Sequence, residues 1–521
     1  MTPGLARRPQ DARLTASGLF LLLAVCATGN LRSQCPDGTP PPCSARPSHA
    51  APPSPNSVAV LYFENPSRDT ADAAIADGLT EEIIARLSQV PGVRVASRYA
   101  VMRYRGRTPD PHQVGRDLGV HYVLGGALRR AAGRMRLVVA VTDAGAGFNV
   151  WGETFERPMQ DIFSVEDSVA VQVAEAVHGR PTASERSRLA PAAPSSDVEA
   201  YQAYLRGRVA IRSRTAAAGS AAVAEYRRAI ALDPRFARAW AGLAVALSLA
   251  RDWGWPIAGV PADSLQPLAV RAAQRALELD SASAEGWLAS AMAVRATDMA
   301  LALQLHRRAL AVDSTNVEAV HQLAWGFLGS GDLDSAIVFE RRALARDPYY
   351  AYAYAGLAEM LNIAGRPEEA LVATIEGRAV DSTNAPMWFQ LADAELRFGR
   401  LAEAGAALDR AEALGFDRLG VRLMRAIART RGGDTAAARA ELPALMQLTE
   451  AAPPGGMAFS CAAVLSGLFA QLGDVDGAVR WAGRVPRAPH RYYAVVFARH
   501  WYWEPLRATP QFQAFLASMR Q

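Results

Sequence analysis

The sequence predicts an α+β multidomain protein, in which a small α/β domain with a mixed sheet precedes an all-α superhelix of helical hairpins. Two observations predict this fold class. Similar segments that end in aspartate return every thirty-three or thirty-four residues, at Asp280, Asp313, Asp347 and Asp381. Such a period is typical of stacked hairpins that bury their apolar faces only against their neighbours. Upstream of these repeats, apolar strand patterns alternate with helical ones, which indicates an α/β domain.

The composition excludes several classes of enzyme. The chain has 521 residues, a net charge of +5 and no lysine. A phosphate-binding P-loop, a protein kinase and a pyridoxal enzyme all need a lysine, so none of them is encoded here. Arginines and carboxylates interleave along the repeats. We therefore interpret the charge as solvated helix faces and expect no nucleic-acid partner.

Residues 1–30 have the pattern of a targeting segment, because three arginines precede the short apolar run 18–27. Three interpretations stay open: a cleaved signal peptide, an uncleaved membrane anchor, and a lipoprotein lipidated at Cys26, where LAVC is similar to a lipoprotein box. All three predict a periplasmic or envelope location, exported or anchored by the N-terminus. They also predict that any membrane contact is made through this segment only.

Residues 31–56 are predicted to be a proline-rich linker. Cys35 and Cys43 lie in it, eight residues apart, and could form a disulfide in an oxidising compartment. No pair of cysteines has the spacing of a zinc site. Cys461 falls within the repeats and is expected to be a buried, inert thiol.

Residues 57–180 are predicted to form the α/β domain. Val58–Phe63 is a continuous apolar run with β-branched and aromatic members, which is typical of a strand buried on both faces. Apolar residues at spacings of three and four predict the helices, and alternation predicts the later strands. The predicted order is strand 58–63, helix 71–90, strand 93–96, helix 110–118, strands 121–128, 134–142 and 149–155, and helix 161–177.

Several runs within this domain resemble a known bacterial module. They are VAVLYF at 58–63, ADGLTEEI at 76–83, PGVRV at 91–95, YRGR at 104–107, GRDLGVHYV at 115–123, GALR at 126–129, WGE at 151–153 and DIFSVED at 161–167. Over 57–178 the chain is similar to the amino-terminal-domain-like module of TolB, also called FlgO-like. It departs at Tyr62, where proline is common, and at Gly125, where glutamate is common. In relatives, the module follows a kinase, a cyclase or a winged-helix DNA-binding domain, whereas a targeting segment and a linker stand in that place here.

After a second predicted linker at 181–197, residues 198–489 resemble the tetratricopeptide repeat. The unit that starts at Val317 carries Val320, Ala324, Gly331 and Ala336 at the expected positions, and later units follow the same register. We expect about eight repeats, with the second interrupted by a loop at 251–264. The glycines should end the first helix of each hairpin. Trp253 and Trp255 at the interruption are expected to fold back on the repeats, and residues 490–521 to cap the last one.

The resemblance to tetratricopeptide repeats also implies a binding surface. In that family the concave face is lined by positions 2, 5, 9 and 12 of each first helix, and a mix of aromatics and acids there suits a protein or peptide partner. These positions give the candidate partner-binding residues Glu318, His321, Trp325, Tyr352, Glu359, Asn362, Phe389 and Asp393.

No catalytic, cofactor-binding or metal-binding motif stands out in the sequence. Glu81 and Glu82 lie early in a predicted helix, where they favour its dipole without any catalytic role. The sequence therefore favours a non-enzymatic, envelope-associated scaffold for protein–protein interaction. The alternative is a sensory or regulatory subunit that modulates a separately encoded kinase, cyclase or transcription factor.

Overall fold

The computed structural model describes residues 54–67, 69–189, 193–452, 456–486 and 491–519, all of which belong to one compact unit. The targeting segment with Cys26 and the pair Cys35 and Cys43 lie outside the described residues. Among the residues that are described, no helix combines the length and the apolar content needed to cross a membrane. The predicted fold class is confirmed: a mixed sheet with its helices precedes a superhelix of paired helices.

The α/β part is built on a five-stranded sheet with the order β2-β1-β3-β4-β5. Strand β1 pairs in parallel with both of its neighbours, whereas β3, β4 and β5 are antiparallel, so the sheet is mixed. The first strand begins four residues earlier than predicted, within the segment 31–56 that the sequence predicts to be a linker. The strands are β1 (Ser54–Val60), β2 (Arg94–Val95), β3 (Val120–Ala131), β4 (Arg134–Asp143) and β5 (Asn149–Pro158).

Five helices accompany the sheet. They are α1 (Thr70–Leu87), α2 (Arg98–Met102), α3 (Pro111–Leu118), α4 (Ile162–His178) and α5 (Ala183–Leu189). Helix α5 lies in the segment 181–197, which the sequence predicts to be a linker. The structure differs there because Leu189 is fully buried in the core, and its carbonyl accepts a hydrogen bond of 3.4 Å from Arg86.

The remaining described residues are mainly helical. Eight helix pairs follow one another: α6 (Val198–Ile211) and α7 (Ala216–Leu232), α8 (Ala237–Trp253) and α9 (Leu265–Leu279), α10 (Ala284–Val294) and α11 (Met299–Val312), α12 (Val317–Ser330) and α13 (Leu333–Arg346), α14 (Ala351–Ile363) and α15 (Pro367–Val380), α16 (Ala385–Arg397) and α17 (Leu401–Ala413), α18 (Arg418–Arg431) and α19 (Thr435–Ala451), and α20 (Gly456–Gln471) and α21 (Val475–Ala482). Helix α22 (Tyr492–Arg499), a 3₁₀ turn (Trp501–Leu506) and α23 (Pro510–Ser518) are the last described elements.

The periodic aspartates end the second helix of four successive pairs and turn the chain into the next pair. At Asp313 and Asp381 the carboxylate accepts the backbone N–H two residues later, at 2.9 and 2.8 Å. This bond closes an Asx turn, which stabilises the exit from a helix. Asp280 and Asp347 make the same bond, and so does Asp233 after α7, so the device extends one repeat upstream.

Small residues bring the two helices of a pair close together. A Cβ placed on Gly377 of α15 would lie only 2.6 Å from the Cβ of Tyr354 on α14. At the end of α12, Gly331 has a φ of 93°, a left-handed conformation that suits glycine. Here the glycine ends the first helix of its hairpin, as its register predicts.

Tryptophan at the fourth position of a first helix fastens that helix to the preceding turn. In Trp240, Trp287 and Trp388 the indole Nε1 donates to the carbonyl of the residue six positions earlier, over 2.9 to 3.0 Å. The bond satisfies the polar edge of a half-buried ring, as buried tryptophan requires. These positions therefore have a structural role in the stack.

The interruption of the second pair folds back on the repeats. Trp255 lies in the connection from α8 to α9 and is only 8% exposed. A Cβ on Gly219 of α7 would lie 2.5 Å from its ring, and the ring stacks on Trp253 at 6.1 Å. The insertion thus fills the space beside the first half of α7.

Helix α1 joins the α/β part to the first repeats through buried ion pairs. Glu82 accepts from Arg208 of α6 at 2.5 Å and from Arg238 of α8 at 2.6 Å. Its neighbour Glu81 accepts from Arg208 at 3.1 Å and also pairs with Arg212. Both carboxylates are at most 5% exposed, so they need these cations as partners.

The pKa values agree with a charged network. Burial opposes the ionisation of Glu82, but Arg238 and Arg208 overcome it and lower the pKa of the carboxyl. On α4, Glu166 is fully buried and lies 2.9 Å from Arg86. There burial prevails and raises the pKa of Glu166 to about 8. Glu81 and Glu82, which the sequence assigns only to a helix dipole, therefore help to attach the α/β part to the first repeats.

We predict that Gly377→Ala destabilises the repeats by about 1–3 kcal/mol, because the new methyl group must displace Tyr354 across a close contact. The matched control is Gly405→Ala in α17, where a Cβ meets no heavy atom of the described chain within 4 Å. That change should stabilise by about 0.5–1 kcal/mol, through helix propensity alone. Urea unfolding of both variants measures the difference, and equal midpoints would contradict the close contact.

Candidate functional site

The eight residues predicted to bind a partner all lie on the first helices α12, α14 and α16. None of them is exposed: His321, Asn362 and Asp393 are buried, and the other five are half-buried. The structure therefore brings them to one inner surface of the superhelix and gives each a neighbour within the chain. Whether they bind a separate partner stays a prediction. Their present contacts come from two directions.

The first direction is the turn that follows α6. Arg214, whose φ is 49°, extends its guanidinium to within 3.0 Å of Glu318 and also lies over the ring of Tyr352 at 4.8 Å. Tyr350 donates to the same carboxylate at 2.6 Å, and Tyr352 donates to the carbonyl of Arg212 at 3.1 Å. Burial opposes the ionisation of Glu318, but Arg214 overcomes it and lowers the pKa of that carboxyl to about 2.

A histidine–carboxylate pair lies next to this cluster. Nδ1 of His321 is 2.8 Å from the carboxylate of Glu340, which is fully buried on α13. Burial raises the pKa of Glu340 above its ordinary value, and His321 opposes the change. Trp325 presents its ring edgewise to His321 at 6.3 Å. This pair links the inner face to the second helix of the same repeat.

The second direction is the C-terminus. We call residues 491–506 the C-terminal strap. Tyr492 in the strap donates to Glu359 at 2.8 Å, and Gln390 of α16 donates to the same carboxylate at 3.2 Å. Asn362 donates to the backbone carbonyl of Gln390 at 3.1 Å. Glu359 and Asn362 are thus joined through Gln390, and Tyr492 of the strap binds Glu359 as well.

Farther along the strap, two ring N–H groups lie against one carboxylate. Nε2 of His500 is 2.9 Å from Asp393, and Nε1 of Trp501 donates to its other oxygen at 3.0 Å. The last predicted residue, Phe389, stacks on Phe416 at 4.5 Å. Asp393 therefore has both of its oxygens occupied by the chain itself.

The strap crosses the first helices of five successive pairs. Its backbone starts on α12, where the N–H of Arg491 donates to the carbonyl of Gly329 at 2.8 Å. It passes α14 and α16 as described and ends on α20, where Trp503 donates to Ser466 at 3.0 Å. On α18 its partner is Met424, and Gln471 of α20 donates to the carbonyl of Tyr502. The predicted C-terminal cap is thus also an occupant of the inner face.

The chemistry of this site is that of recognition. Four carboxylates line it, and they meet a guanidinium, phenols, an indole and imidazoles; the carboxylates are Glu318, Glu340, Glu359 and Asp393. Within the described ranges, no cluster of three or more histidine, cysteine or acidic side chains is placed to hold a metal ion. The arrangement suits the binding of a segment that donates hydrogen bonds from tyrosine, tryptophan or histidine.

Sequence reasoning identified three of the four carboxylates on this surface, all except Glu340, and it missed the donors that they bind. The repeat register pointed to Glu359 and Asp393, because periodic positions share a face. It carried no information on Arg214, Tyr492 or His500, which reach that face from outside the register. The only signal was the aromatic cluster near the C-terminus, and it predicts a cap without specifying the surface that the cap covers.

No family model matches the chain. A protein of Rhizobium meliloti (strain 1021), named "Putative adenylate cyclase 3", is 37% identical over 257 residues, which make up 49% of this chain and 43% of that protein. The chain therefore spans less than half the length of this relative.

Similar solved structures are repeat proteins. YrrB, described as a TPR protein with an unusual peptide-binding site, is 18% identical, with a TM-score of 0.26, over 38% of this chain and 95% of its own. PilW, a type IV pilus biogenesis factor, is 18% identical, with a TM-score of 0.32, over 36% and 86%. Pseudomonas aeruginosa PilF is 17% identical, with a TM-score of 0.34, over 42% and 94%.

We predict a pH-dependent stability that originates at Glu359. Burial of its carboxyl, with Asp393 and Glu340 nearby, raises its pKa from 4.5 to about 7, although the bond from Tyr492 opposes the shift. A folded-state pKa above the unfolded one means that the folded protein holds the proton more tightly. The stabilisation is complete below pH 4.5 and is lost as the pH rises through about 7. It should amount to about 3 kcal/mol.

Glu359→Gln should remove this contribution, because the amide carries no charge. Urea unfolding of wild type and variant should be measured at pH 5, 6.5 and 8. The free energy of unfolding of the variant should rise relative to that of the wild type as the pH rises. Glu368→Gln, at an exposed position of α15, is the control and should follow the wild type. Parallel curves for Glu359→Gln and wild type would contradict the assignment.

Proposed function

We propose that this protein is a non-enzymatic, envelope-associated scaffold that binds peptide or protein segments on the inner face of its repeats. One observation carries the proposal. The inner face already holds a segment of sixteen residues, the C-terminal strap, through side chains at the positions where repeat proteins bind peptides. A surface that recognises its own segment in this way has the groups needed to recognise a similar one from another protein.

The strap sets the conditions for a partner. It contributes aromatic N–H and O–H donors to Glu359 and Asp393, so a competing segment needs donors at the same spacing. Because the strap is tethered, its effective concentration is on the order of millimolar. A partner must exceed that affinity or bind after the strap has opened. We therefore propose that strap opening and partner binding are coupled.

The location is part of the same proposal. The basic start and the short apolar run of residues 1–30 support export or anchoring, by signal peptide, membrane anchor or lipidation at Cys26. The runs quoted for 57–178 support assignment of the α/β part to the TolB-like module. In such an arrangement the repeats would work outside the cytoplasm, and Cys35 and Cys43 would lie in an oxidising compartment where a disulfide persists.

Binding at the inner face can be tested with the strap itself as probe. A fluorescein-labelled peptide of residues 491–507 should bind the full-length chain weakly while the tethered strap is in place. It should bind about tenfold more tightly to Tyr492→Ala plus His500→Ala, because those changes remove the strap's contacts with Glu359 and Asp393. Fluorescence anisotropy gives both affinities, and circular dichroism shows that the variant keeps its helices.

The contacts on the repeat side provide the control. Adding Asp393→Ala to the opened variant should reduce peptide binding, whereas adding Asp409→Ala, at a carboxylate 73% exposed on α17, should not. If the double variant is unstable, Tyr492→Phe can replace it, because this change removes only the hydrogen bond from the strap to Glu359. Peptide affinity that is equal in wild type and in both opened forms would refute binding at the inner face.

Location can be tested by fractionating cells that produce either a tagged full-length chain or a version lacking residues 1–53. The deleted segment ends just before β1. The full-length chain should appear in the periplasmic or membrane fraction, and the shortened one in the cytoplasm. Labelling with radioactive palmitate, compared with Cys26→Ser, separates lipidation from the other two possibilities. Recovery of both forms from the cytoplasm would contradict the envelope location.

A second function is favoured by one finding. The 37% identity with a protein named as an adenylate cyclase covers about half of this chain and leaves more than half of that protein unmatched. This supports a sensory or regulatory subunit that modulates a cyclase, kinase or transcription factor on another chain. The discriminating observation is whether a neighbouring gene encodes such an effector. Its activity would then change when the full-length protein is added.

A further inference from the structure

A groove of about 520 Å³ lies on the outer surface of the superhelix, away from the strap. It runs between α7 and α9, the second helices of the first two pairs, and α8 forms its floor. Trp255 occupies the space beside the first half of α7, and the groove lies beside the second half.

The floor of the groove is apolar. Leu243 and Leu247 of α8 and Leu268 of α9 line it, together with the ring of Trp240. The indole N–H of that tryptophan is already bonded to the carbonyl of Pro234 at 3.0 Å. The floor therefore suits an apolar side chain. A polar side chain placed there would find no hydrogen-bond partner in the indole.

The rim is cationic on both walls. Arg227 stands on α7, and Arg271 and Arg275 stand on α9. Arg275 pairs with Glu278 at 2.9 Å. Within the described part of the chain, neither Arg227 nor Arg271 has a carboxylate within the 4.0 Å of an ion pair. Two arginines without a carboxylate partner thus line the groove, one on each wall.

The surrounding surface strengthens the positive potential. The outer helices α7, α9, α11 and α13 carry nine arginines and four carboxylates. Of those carboxylates, Glu340 is fully buried against His321, and Glu225 is bonded to Arg206 at 2.9 Å. The field on this side therefore favours an anionic ligand, whose approach it would accelerate.

We propose that this groove binds an acidic amphipathic helix of a partner protein, with an apolar side chain on the floor and carboxylates on both walls. Cations on opposite walls match a segment that carries charge on both flanks of an apolar stripe; an amphiphile with a single head group would meet only one wall. Residues 1–53 of this chain are an unsuitable occupant, because they contain five arginines and two aspartates. The groove is separate from the inner face, so this proposal does not depend on the function proposed above.

The probe is a fluorescein-labelled synthetic helix of eighteen residues, with leucines along one face and glutamates on both sides of them. It should bind the full-length chain saturably. The variant Arg227→Glu plus Arg271→Glu should weaken binding about tenfold or more, because attraction becomes repulsion on both walls. The control, Arg228→Glu plus Arg346→Glu, makes the same change in net charge at exposed arginines outside the groove, and should alter affinity by less than about threefold.

Two altered peptides test the floor and the charge without changing the protein. Replacing the leucines by serines, or the glutamates by glutamines, should each abolish saturable binding. Equal losses in the groove variant and the control would mean diffuse electrostatic attraction and would overturn the site. Three other results would also overturn it: no saturable binding, competition by phosphatidylglycerol vesicles that depends on Arg227 and Arg271, or a dimer seen by light scattering that only the groove variant disrupts.

Discussion

The arrangement of this protein depends on two adjacent carboxylates on the first helix. Glu81 and Glu82 of α1 are buried between the α/β part and the first repeats, where arginines from α6 and α8 neutralise them. Removing one partner of such a network leaves an unpaired buried charge, at a cost of about 3–5 kcal/mol. The network holds α6 against α1, and the turn after α6 then delivers Arg214 to Glu318 on the inner face. Attachment of the domain and occupation of the candidate site are therefore linked.

The inner face is covered by segments from both ends of the repeat array. Arg214 comes from the first pair, and Tyr492, His500 and Trp501 come from beyond the last. A superhelix brings such distant segments together because its curvature turns all first helices toward a common axis. The closure satisfies buried carboxylates that would otherwise need water or a ligand. A partner segment must therefore bind the inner face more tightly than the strap does. The outer groove remains open.

Much of the fold could be predicted, and for identifiable reasons. Asp313 and Asp381 recur because each must close the same Asx turn, so a local hydrogen bond appears in the sequence as a period. The site was predicted only in part. Glu359 and Asp393 followed from the register, but Tyr492 and His500 lie more than a hundred residues away along the chain. No local pattern encodes which distant donor reaches a given acceptor.

The amino-acid sequence by itself determined the order of the parts, the mixed sheet, the repeat period and the face on which the candidate residues lie. These follow from turns, capping and apolar spacing, which act within a few tens of residues. Only the tertiary structure decided that Glu81 and Glu82 join the two parts, that the C-terminal strap fills the inner face, and that an arginine-rimmed groove stays open outside. Those outcomes depend on the accumulated curvature of eight helix pairs, a sum of small rotations that no single repeat specifies.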